Sequence, residues 1–506
     1  MKINRTQNAL RIILFGSIYR VINIILPFFS RTVILYVLGE KYLGLSSLFT
    51  SLLRFLSLAE LGAGGAMVYS MYKPIADNDI STIKALLNLY RKFYRVIGTV
   101  IFGLGMCLLP FLGRLIHGDV PTDINIYVLY VIYLLNATLS YWLFAYKGAI
   151  LQAFQRADVE SKIGMIITPL SYVVMLGCLF VTRNYYAYVI WIPIFTILTN
   201  LLRMLYVNKH FPEYAPEGEI SLELRESITK KVAALIGTKL NTVVLNSADN
   251  IVMSVFLGLT TIAVYGNYYY IMTSVTAFLG ICYVSMTAGL GNSLELETEE
   301  KNYRDFMKFS FINAWLVGWC AVCLACLYQP FMTLWTKGRL MFSFPIMLCF
   351  VLYFYVYMIR KIPVTYKDAA GIWWEDRLRP YVCMMVNIVL NIALVQIIGV
   401  AGIILSTVFS LFISIPWENY TVFKYIFHRS SREYYAKMTY YFGSMIISGS
   451  VCFWICSHFG GGFGNFFARG AVCVVVPNMI YTLLNYKQQE FREAASFAKQ
   501  IAKRRG

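Results

Sequence analysis

Residues 163–182 read IGMIITPLSYVVMLGCLFVT, a run of twenty residues without a charged side chain. Runs of about 18 or more predominantly apolar residues are typical of helices that cross a membrane. Comparable runs recur from one end of the 506-residue chain to the other, where 58% of residues are hydrophobic and 14% are charged. This composition excludes a soluble enzyme, a disordered protein and a disulfide scaffold, because soluble domains carry about 25% charged residues.

The apolar runs predict an all-α polytopic membrane protein with about fourteen transmembrane helices. A membrane β-barrel is excluded because its strands alternate polar and apolar residues over about ten positions. The predicted spans are residues 12–38, 42–70, 93–116, 124–147, 162–182, 186–207, 232–257, 261–289, 306–328, 341–364, 379–398, 400–426, 438–458 and 465–486. We therefore expect an N-lobe of helices 1–6 (1–210), a cytoplasmic linker (211–231), a C-lobe of helices 7–12 (232–427), two extra helices (438–486) and a basic cytoplasmic tail (487–506).

Charge along the chain indicates the orientation in the membrane. The formal net charge is +18, and with the N-terminus inside, 34 of the 44 Lys and Arg residues fall in segments on the cytoplasmic side against 6 on the other. Basic loops face the cytoplasm, so both termini are expected there, and nucleic acid is not needed to explain the charge. The tail predicts an amphipathic helix, with Phe491 and Ala494 on one face, lying on anionic lipid head groups.

An internal repeat is indicated by two landmarks that share an offset. Tyr146-Lys147 recurs as Tyr366-Lys367, 220 residues on, and Leu38-Gly39 recurs as Leu257-Gly258, 219 residues on. Two landmarks with nearly one offset favour two pseudo-symmetric six-helix lobes. Because six is an even number of spans, the lobes are parallel repeats about an axis along the membrane normal.

Ionisable residues inside predicted spans are costly and mark a pathway or a partner. At helical spacing they form polar stripes on spans one, two and seven, and spans one and seven are equivalent in the repeat. Arginine suits phosphate because its planar fork donates two parallel hydrogen bonds. The stripes therefore predict a cationic cavity for an anionic substrate between the lobes. The candidate substrate-binding residues are Arg20, Asn23, Arg31, Arg54, Lys239, Asn246 and Asn250.

The two acids of these spans, Glu60 and Asp249, leave several interpretations open. Structural ion pairing would join Arg54 to Glu60 or Lys239 to Asp249, whereas a carboxylate in a cavity could instead carry coupling protons or sodium ions. Pro27 interrupts the stripe on span one and is a candidate hinge.

No cofactor or metal is expected from the remaining residues. The C-x2-C-x2-C run of Cys320, Cys323 and Cys326 has no fourth ligand nearby in the sequence. The other cysteines are scattered through the spans like small apolar residues.

Three segments of the chain resemble those of bacterial polysaccharide flippases. These are residues 58–76 (LAELGAGGAMVYSMYKPIA), residues 367–380 (KDAAGIWWEDRLRP) with the following 387–391 (NIVLN), and residues 399–407 (GVAGIILST). Such flippases are O-antigen and capsule repeat-unit transporters of the multidrug/oligosaccharidyl-lipid/polysaccharide (MOP) superfamily. The resemblance covers nearly the whole chain and does not identify a sugar.

The resemblance implies two six-helix bundles that form a V-shaped central cavity, with two extra C-terminal helices. It implies a cargo of undecaprenyl-diphosphate-linked oligosaccharide, moved to the outer leaflet of the bacterial cytoplasmic membrane for lipopolysaccharide or capsule assembly. Candidate partners are membrane lipids, a polysaccharide polymerase and chain-length machinery. In this family basic cavity residues face the diphosphate, and here the matching positions are Arg20, Arg31, Arg54 and Lys239.

Two alternative functions stay open at this point. A cation-coupled drug exporter of the same superfamily would usually carry cations, which a basic cavity repels. A membrane-embedded polysaccharide polymerase would show a large extracytoplasmic loop, whereas the outer loops here are short.

Overall fold

The computed structural model describes residues 5–60 and 63–505. Side chains are described for these residues except at 5–14, 58, 59, 63, 66, 227, 231, 233–236, 238, 246, 284, 285, 288 and 498–505. Helices account for 85% of the chain, and the described residues form no strand. The expected all-α class is thereby confirmed.

The chain folds as two compact units, Met1–Ala263 and Val264–Gly506. The helices of the first unit are α1 (Arg5–Val37), α2 (Glu40–Leu56), α3 (Ala63–Ala76), α4 (Ile80–Leu108), α5 (Leu112–Leu115), α6 (Ile126–Trp142), α7 (Gly148–Ala153), α8 (Ala157–Thr182), α9 (Tyr185–Val189), α10 (Trp191–His210) and α11 (Leu222–Phe256). α12 (Leu259–Leu296) begins in this unit and continues into the second.

The second unit continues with α13 (Glu299–Thr336), α14 (Phe344–Ile359), α15 (Lys361–Ala369), α16 (Arg379–Ile398), α17 (Val400–Tyr425), α18 (Arg432–Ser457), α19 (Phe463–Asn485) and α20 (Gln489–Arg505). In the described part of the chain, ten helices are long and apolar enough to cross a membrane, or eleven if the bent pair Ile126–Trp142 and Ala145–Ala153 is one span. The protein is therefore a multi-pass membrane protein, while the number fourteen stays a prediction.

The second predicted span, 42–70, is not one helix. α2 ends at Leu56, a 3₁₀ turn covers Ser57–Glu60, and α3 begins at Ala63. Gly64, at the start of α3, leaves no room for a larger side chain. A Cβ atom there would lie 2.9 Å from the Tyr90 hydroxyl and 3.2 Å from a Glu60 carboxylate oxygen. The glycine-rich segment thus admits two polar side chains from neighbouring elements.

The helix after the predicted linker starts earlier than expected and packs in the first unit. Ser221 caps α11 by accepting a hydrogen bond from the Leu224 amide at 3.3 Å, so residues 222–231 are helical. Asn250 of α11 donates to the Ser51 hydroxyl of α2 at 2.9 Å. Helix seven of the prediction therefore contacts helix two, and the boundary between the compact units falls at residues 263/264.

The two glycine landmarks of the repeat occupy equivalent turns. Gly39 has φ +111° and precedes α2, and Gly258 has φ +83° and precedes α12. Both values lie in the left-handed region that favours glycine. At Gly258 a Cβ atom would also lie 2.8 Å from the His117 carbonyl oxygen. A side chain is disfavoured at both positions, which explains why the sequence repeats glycine there.

The C-terminal tail forms α20, and the described part of its apolar face packs on α13. The Phe491 ring stacks on Trp315 with centroids 5.8 Å apart and meets Phe311 edge-on at 6.3 Å. Ala494 joins the same cluster. This face of α20 therefore packs on α13, and its expected location on lipid head groups stays a prediction.

Candidate functional site: basic side chains of the first unit

The first polar stripe borders the face by which α1 packs on α8. Gly164 of α8 lets the Tyr19 ring approach so closely that a Cβ atom there would lie 2.3 Å from it. Arg20 follows Tyr19 and is exposed, while Arg31 is half-buried. The Asn23 amide donates to the Tyr19 carbonyl of its own helix at 2.8 Å. α1 runs on through Pro27 as a single helix, so the hinge stays a prediction.

The second stripe ends on a carboxylate that tyrosines hold. Glu60 accepts hydrogen bonds at 2.8 Å from both the Tyr94 and the Tyr141 hydroxyls. The Tyr90 hydroxyl donates to that of Tyr94 at 2.6 Å. The predicted Arg54–Glu60 pair does not occur between these two described residues, because the 3₁₀ turn carries Glu60 out of the helical phase of α2. Arg54 itself is exposed.

The third stripe lies on α11 and is partly a packing surface. Asp249 is buried, and Asn250 is bonded to Ser51. Lys239 is exposed. Ten residues of helix separate Lys239 from Asp249, about 15 Å along the axis, which excludes the predicted ion pair between them. The side chain of Asn246 lies outside the described residues.

Three cations of the predicted site share one property. Arg20, Arg54 and Lys239 are exposed, and no described residue forms an ion pair or hydrogen bond with their side chains. All three belong to the first compact unit. Lys239 belongs to this unit because α11 packs with the N-terminal helices, and a substrate cavity between the predicted lobes stays a prediction.

The cations of α2 and α11 also differ in depth. Ser51 of α2 pairs with Asn250 of α11, and Gly44, earlier on α2, lies against Leu259, which opens α12 directly after α11. α2 and α11 therefore run antiparallel. Arg54 lies three residues beyond Ser51 and Lys239 eleven residues before Asn250. At 1.5 Å per residue the two cations stand about 12 Å apart along the axes. Arg54 and Lys239 therefore lie at two successive levels along the helix axes rather than side by side.

A polar cavity that the sequence did not predict lies among α6, α8 and α10. Its volume is about 490 Å³, and hydroxyl and amide side chains line much of it. At its edge Arg203 pairs with Glu160 at 3.3 Å and donates to Asn200 at 2.9 Å. None of the predicted site residues lines it. The sequence signal that could have pointed to it was Arg203, a basic residue near the end of predicted span 186–207.

The repeated Tyr-Lys landmark marks a buried ionic cluster in the second unit. The Lys367 ammonium, 6% exposed, lies 2.6 Å from an Asp376 oxygen. The Arg379 guanidinium binds both oxygens of Asp376 at 2.7 Å and also reaches Glu418 at 3.0 Å. Burial alone would raise the pKa of Asp376, but Arg379 and Lys367 outweigh it and hold that pKa below its usual value. The cluster is tightly neutralised.

Lys147, at the same landmark in the first unit, is equally buried at 6% exposure. Its ammonium lies 5.9 Å from the centre of the Tyr146 ring, and within the described residues no acid pairs with it. Arg91 donates to Asn88 at 2.9 Å, and its Nε is buried without a hydrogen-bond partner in the described part. The positive charge of Lys147 is therefore not cancelled by an acid within the described residues, whereas that of Lys367 is.

Comparison with known proteins places the fold. No family model and no curated protein sequence matches the chain. The solved structure of the lipid II flippase MurJ in an inward closed conformation is 15% identical over 93% of this chain and 98% of that chain, with a TM-score of 0.65. The chain has the MOP-transporter fold.

Transporters of the same superfamily give further matches. An inward-facing multidrug resistance MATE transporter is 13% identical over 79% of this chain and 97% of that chain, with a TM-score of 0.61. A MOP superfamily transporter from Pyrococcus furiosus is 13% identical over 81% and 94%, with a TM-score of 0.56. These neighbours are flippases and transporters rather than enzymes. At such identities the likeness concerns the fold.

Proposed function

We propose that the protein flips a polyprenyl-diphosphate-linked oligosaccharide from the cytoplasmic to the outer leaflet by alternating access. The observation that carries the proposal is the set of three exposed cations, Arg20, Arg54 and Lys239, without ion-pair partners among the described residues. A cation on a membrane helix is costly against hydrocarbon and favours a water-filled path. An anionic cargo would supply the missing countercharge.

A diphosphate cannot cross hydrocarbon alone, because removing its charge from water costs many kcal/mol. Guanidinium and ammonium groups would replace that water, while the polyprenyl tail stays in lipid. The axial separation of about 12 Å between Arg54 and Lys239 suits a head group that is passed from one cation to the next. Stepwise binding keeps each contact moderate, so the cargo can leave.

A cation-coupled drug exporter is the second candidate, and the MATE-like fold supports it. The same three cations disfavour it, since they would repel a cationic drug. Glu60 is a weak candidate for a coupling carboxylate because two tyrosines already hold it. Asp249, which is buried, stays the better candidate.

The test is a flippase knockout complemented with variants at equal expression. Each of Arg20→Ala, Arg54→Ala and Lys239→Ala is expected to slow translocation of the lipid-linked repeat unit. Losing one hydrogen bond to a charged group, about 1.5–3 kcal/mol, corresponds to roughly a 10- to 150-fold loss. The measurement is accumulation of repeat units on the inner leaflet.

Arg114→Ala is the matched control. Arg114 is also exposed and in the first unit, but it lies on α5, outside the three stripes. Normal surface glycan in the Arg54→Ala strain would reject the anionic-cargo proposal. Drug efflux lost in that strain, with glycan intact, would favour the exporter.

A further inference from the structure

Four cysteine side chains from three helices of the second unit meet at one place. They are Cys326 of α13, Cys452 and Cys456 of α18, and Cys473 of α19. All four are buried, and their sulfur atoms all lie within 4.8 Å of one another. The Sγ atoms of Cys452 and Cys473 are 3.7 Å apart. Four thiols thus converge although they are up to 147 positions apart in the sequence.

The convergence follows from helix geometry and packing. Cys452 and Cys456 are four residues apart and so lie on one face of α18. Cys473 faces them from α19, and its carbonyl oxygen accepts a hydrogen bond from the Trp319 indole of α13 at 2.8 Å. That bond joins α13 to α19 beside the cluster. The residues next to the C-x2-C-x2-C run offer no fourth ligand in the sequence, because the partners of Cys326 come from α18 and α19.

The spacing matches one tetrahedral metal ion. A zinc–sulfur bond is about 2.3 Å, which in a tetrahedron separates the sulfurs by about 3.8 Å. The 3.7 Å between the Sγ atoms of Cys452 and Cys473 agrees with this value, and the other sulfur pairs lie within 4.8 Å. A disulfide would need sulfur atoms about 2.05 Å apart, and all four cysteines are free. Four sulfur ligands in tetrahedral array select zinc or a similarly soft ion.

We propose that these four cysteines bind one soft d10 cation, Zn²⁺ or Cu⁺. The surrounding side chains are apolar, including Val322, Leu327, Met445 and Val476, so a charged complex would be costly. The thiols that coordinate the ion release their protons to water, because the thiolate is the form that binds a metal. The resulting complex is anionic, and the metal–sulfur bonds must outweigh the cost of burying that charge. The ion would fasten α18 and α19 to α13, a structural role that does not depend on the proposed cargo.

The experiment is metal analysis of the full-length protein, purified in detergent without a polyhistidine tag. After equilibration with Zn²⁺ or, under reducing conditions, Cu⁺ and removal of free ions, we expect about one bound ion per chain. Which ion is retained distinguishes the two. Cobalt loaded in place of zinc is expected to give the visible absorption bands of a tetrahedral thiolate complex. Removal of the ion by a chelator should lower the unfolding temperature.

Cys452→Ser and Cys473→Ser are expected to lose most of the bound metal. Cys383→Ser is the matched control, since Cys383 is buried in the same unit on α16 but outside the cluster. Denaturing alkylation without reductant should modify all 11 cysteines. Wild-type protein that retains no ion after loading, or that shows fewer than 11 alkylated cysteines because of a disulfide in the cluster, would overturn the proposal without reference to any variant.

Discussion

Lys147 and Lys367 occupy the same landmark of the repeat and are buried to the same extent, yet their electrostatic surroundings are opposite. Lys367 lies in a network in which Asp376 and Glu418 neutralise the cations. Lys147 has no acidic partner among the described residues, and Arg91 nearby keeps one buried donor unused. The two landmarks therefore share a buried lysine and differ in whether a described acid pairs with it. The difference between the two positions thus lies in how their local charges are paired.

The largest effect is expected for Asp376→Asn, which removes the partner of two buried cations. Breaking a buried ion pair from one side costs about 3–5 kcal/mol because it leaves uncompensated charge. The free energy of unfolding of the purified protein, measured with denaturant, should fall by that amount. Asp368→Asn is the control, since the Asp368 side chain is 46% exposed and lies 3.9 Å from Lys367. If Asp376→Asn and Asp368→Asn lowered the free energy of unfolding equally, the contrast between the paired Lys367 and Lys147, with which no described acid pairs, would lose its basis.

A smaller effect is expected from changing the lysines themselves. Lys367→Met removes one hydrogen bond to a carboxylate that Arg379 still holds, so we expect a loss of about 1.5–3 kcal/mol. Lys147→Met removes a buried cation that has no acidic partner in the described residues, and the free energy of unfolding should stay the same or rise. Paired thermal melts of the two variants measure the difference. A loss for Lys147→Met as large as for Lys367→Met would mean that an anion from outside the chain occupies its site.

Tyr141→Phe should have a smaller effect still. It removes one of the two hydroxyls that donate to Glu60, and the bond from Tyr94 remains. One net hydrogen bond corresponds to about 1 kcal/mol. The same unfolding measurement checks it, with Tyr127→Phe as control because Tyr127 is exposed on α6. Unchanged stability combined with an altered pH dependence of transport would instead favour a coupling role for Glu60.

The pH dependence of stability should be the smallest effect. The pKa of Asp376 is lower in the folded protein than the unfolded value of about 3.9. The stabilisation by this carboxylate is therefore complete above that value and is lost as the pH falls through the lowered folded pKa. Below about pH 4, the free energy of unfolding should fall less steeply with decreasing pH in Asp376→Asn than in the wild type. If the free energy of unfolding fell equally steeply with pH in both proteins, Asp376 would not be the source of the acid sensitivity.

Local sequence patterns determined some elements well. α16 was predicted at 379–398 and forms Arg379–Ile398, because Pro380 opens it and Gly399 ends it at φ +59°. The break in span two was missed, since it depends on Glu60 meeting tyrosines from α4 and α6. For the site, the exposed cations Arg20, Arg54 and Lys239 could be named in advance from helical spacing. Their placement on one unit could not, because it depends on how α11 packs.

The cysteine cluster and the partners of Lys367 could not be predicted from the sequence either. Each joins residues from helices that are distant in sequence, and no periodic pattern of one helix encodes such a meeting. The lone position of Lys147 is also invisible in the sequence, since Asp158 and Glu160 lie nearby in the chain. In the structure these acids pair with Arg156 and Arg203 instead.

The docking of α20 has a practical consequence for mapping this protein in cells. Reporter fusions that read membrane topology are commonly joined to shortened C-termini. A junction placed after Tyr486 would strip the aromatic cover from Phe311 and Trp315 and would remove Glu490, one of two ion-pair partners of Lys437. Such a hybrid would report on a damaged second unit, so fusions should follow the complete tail.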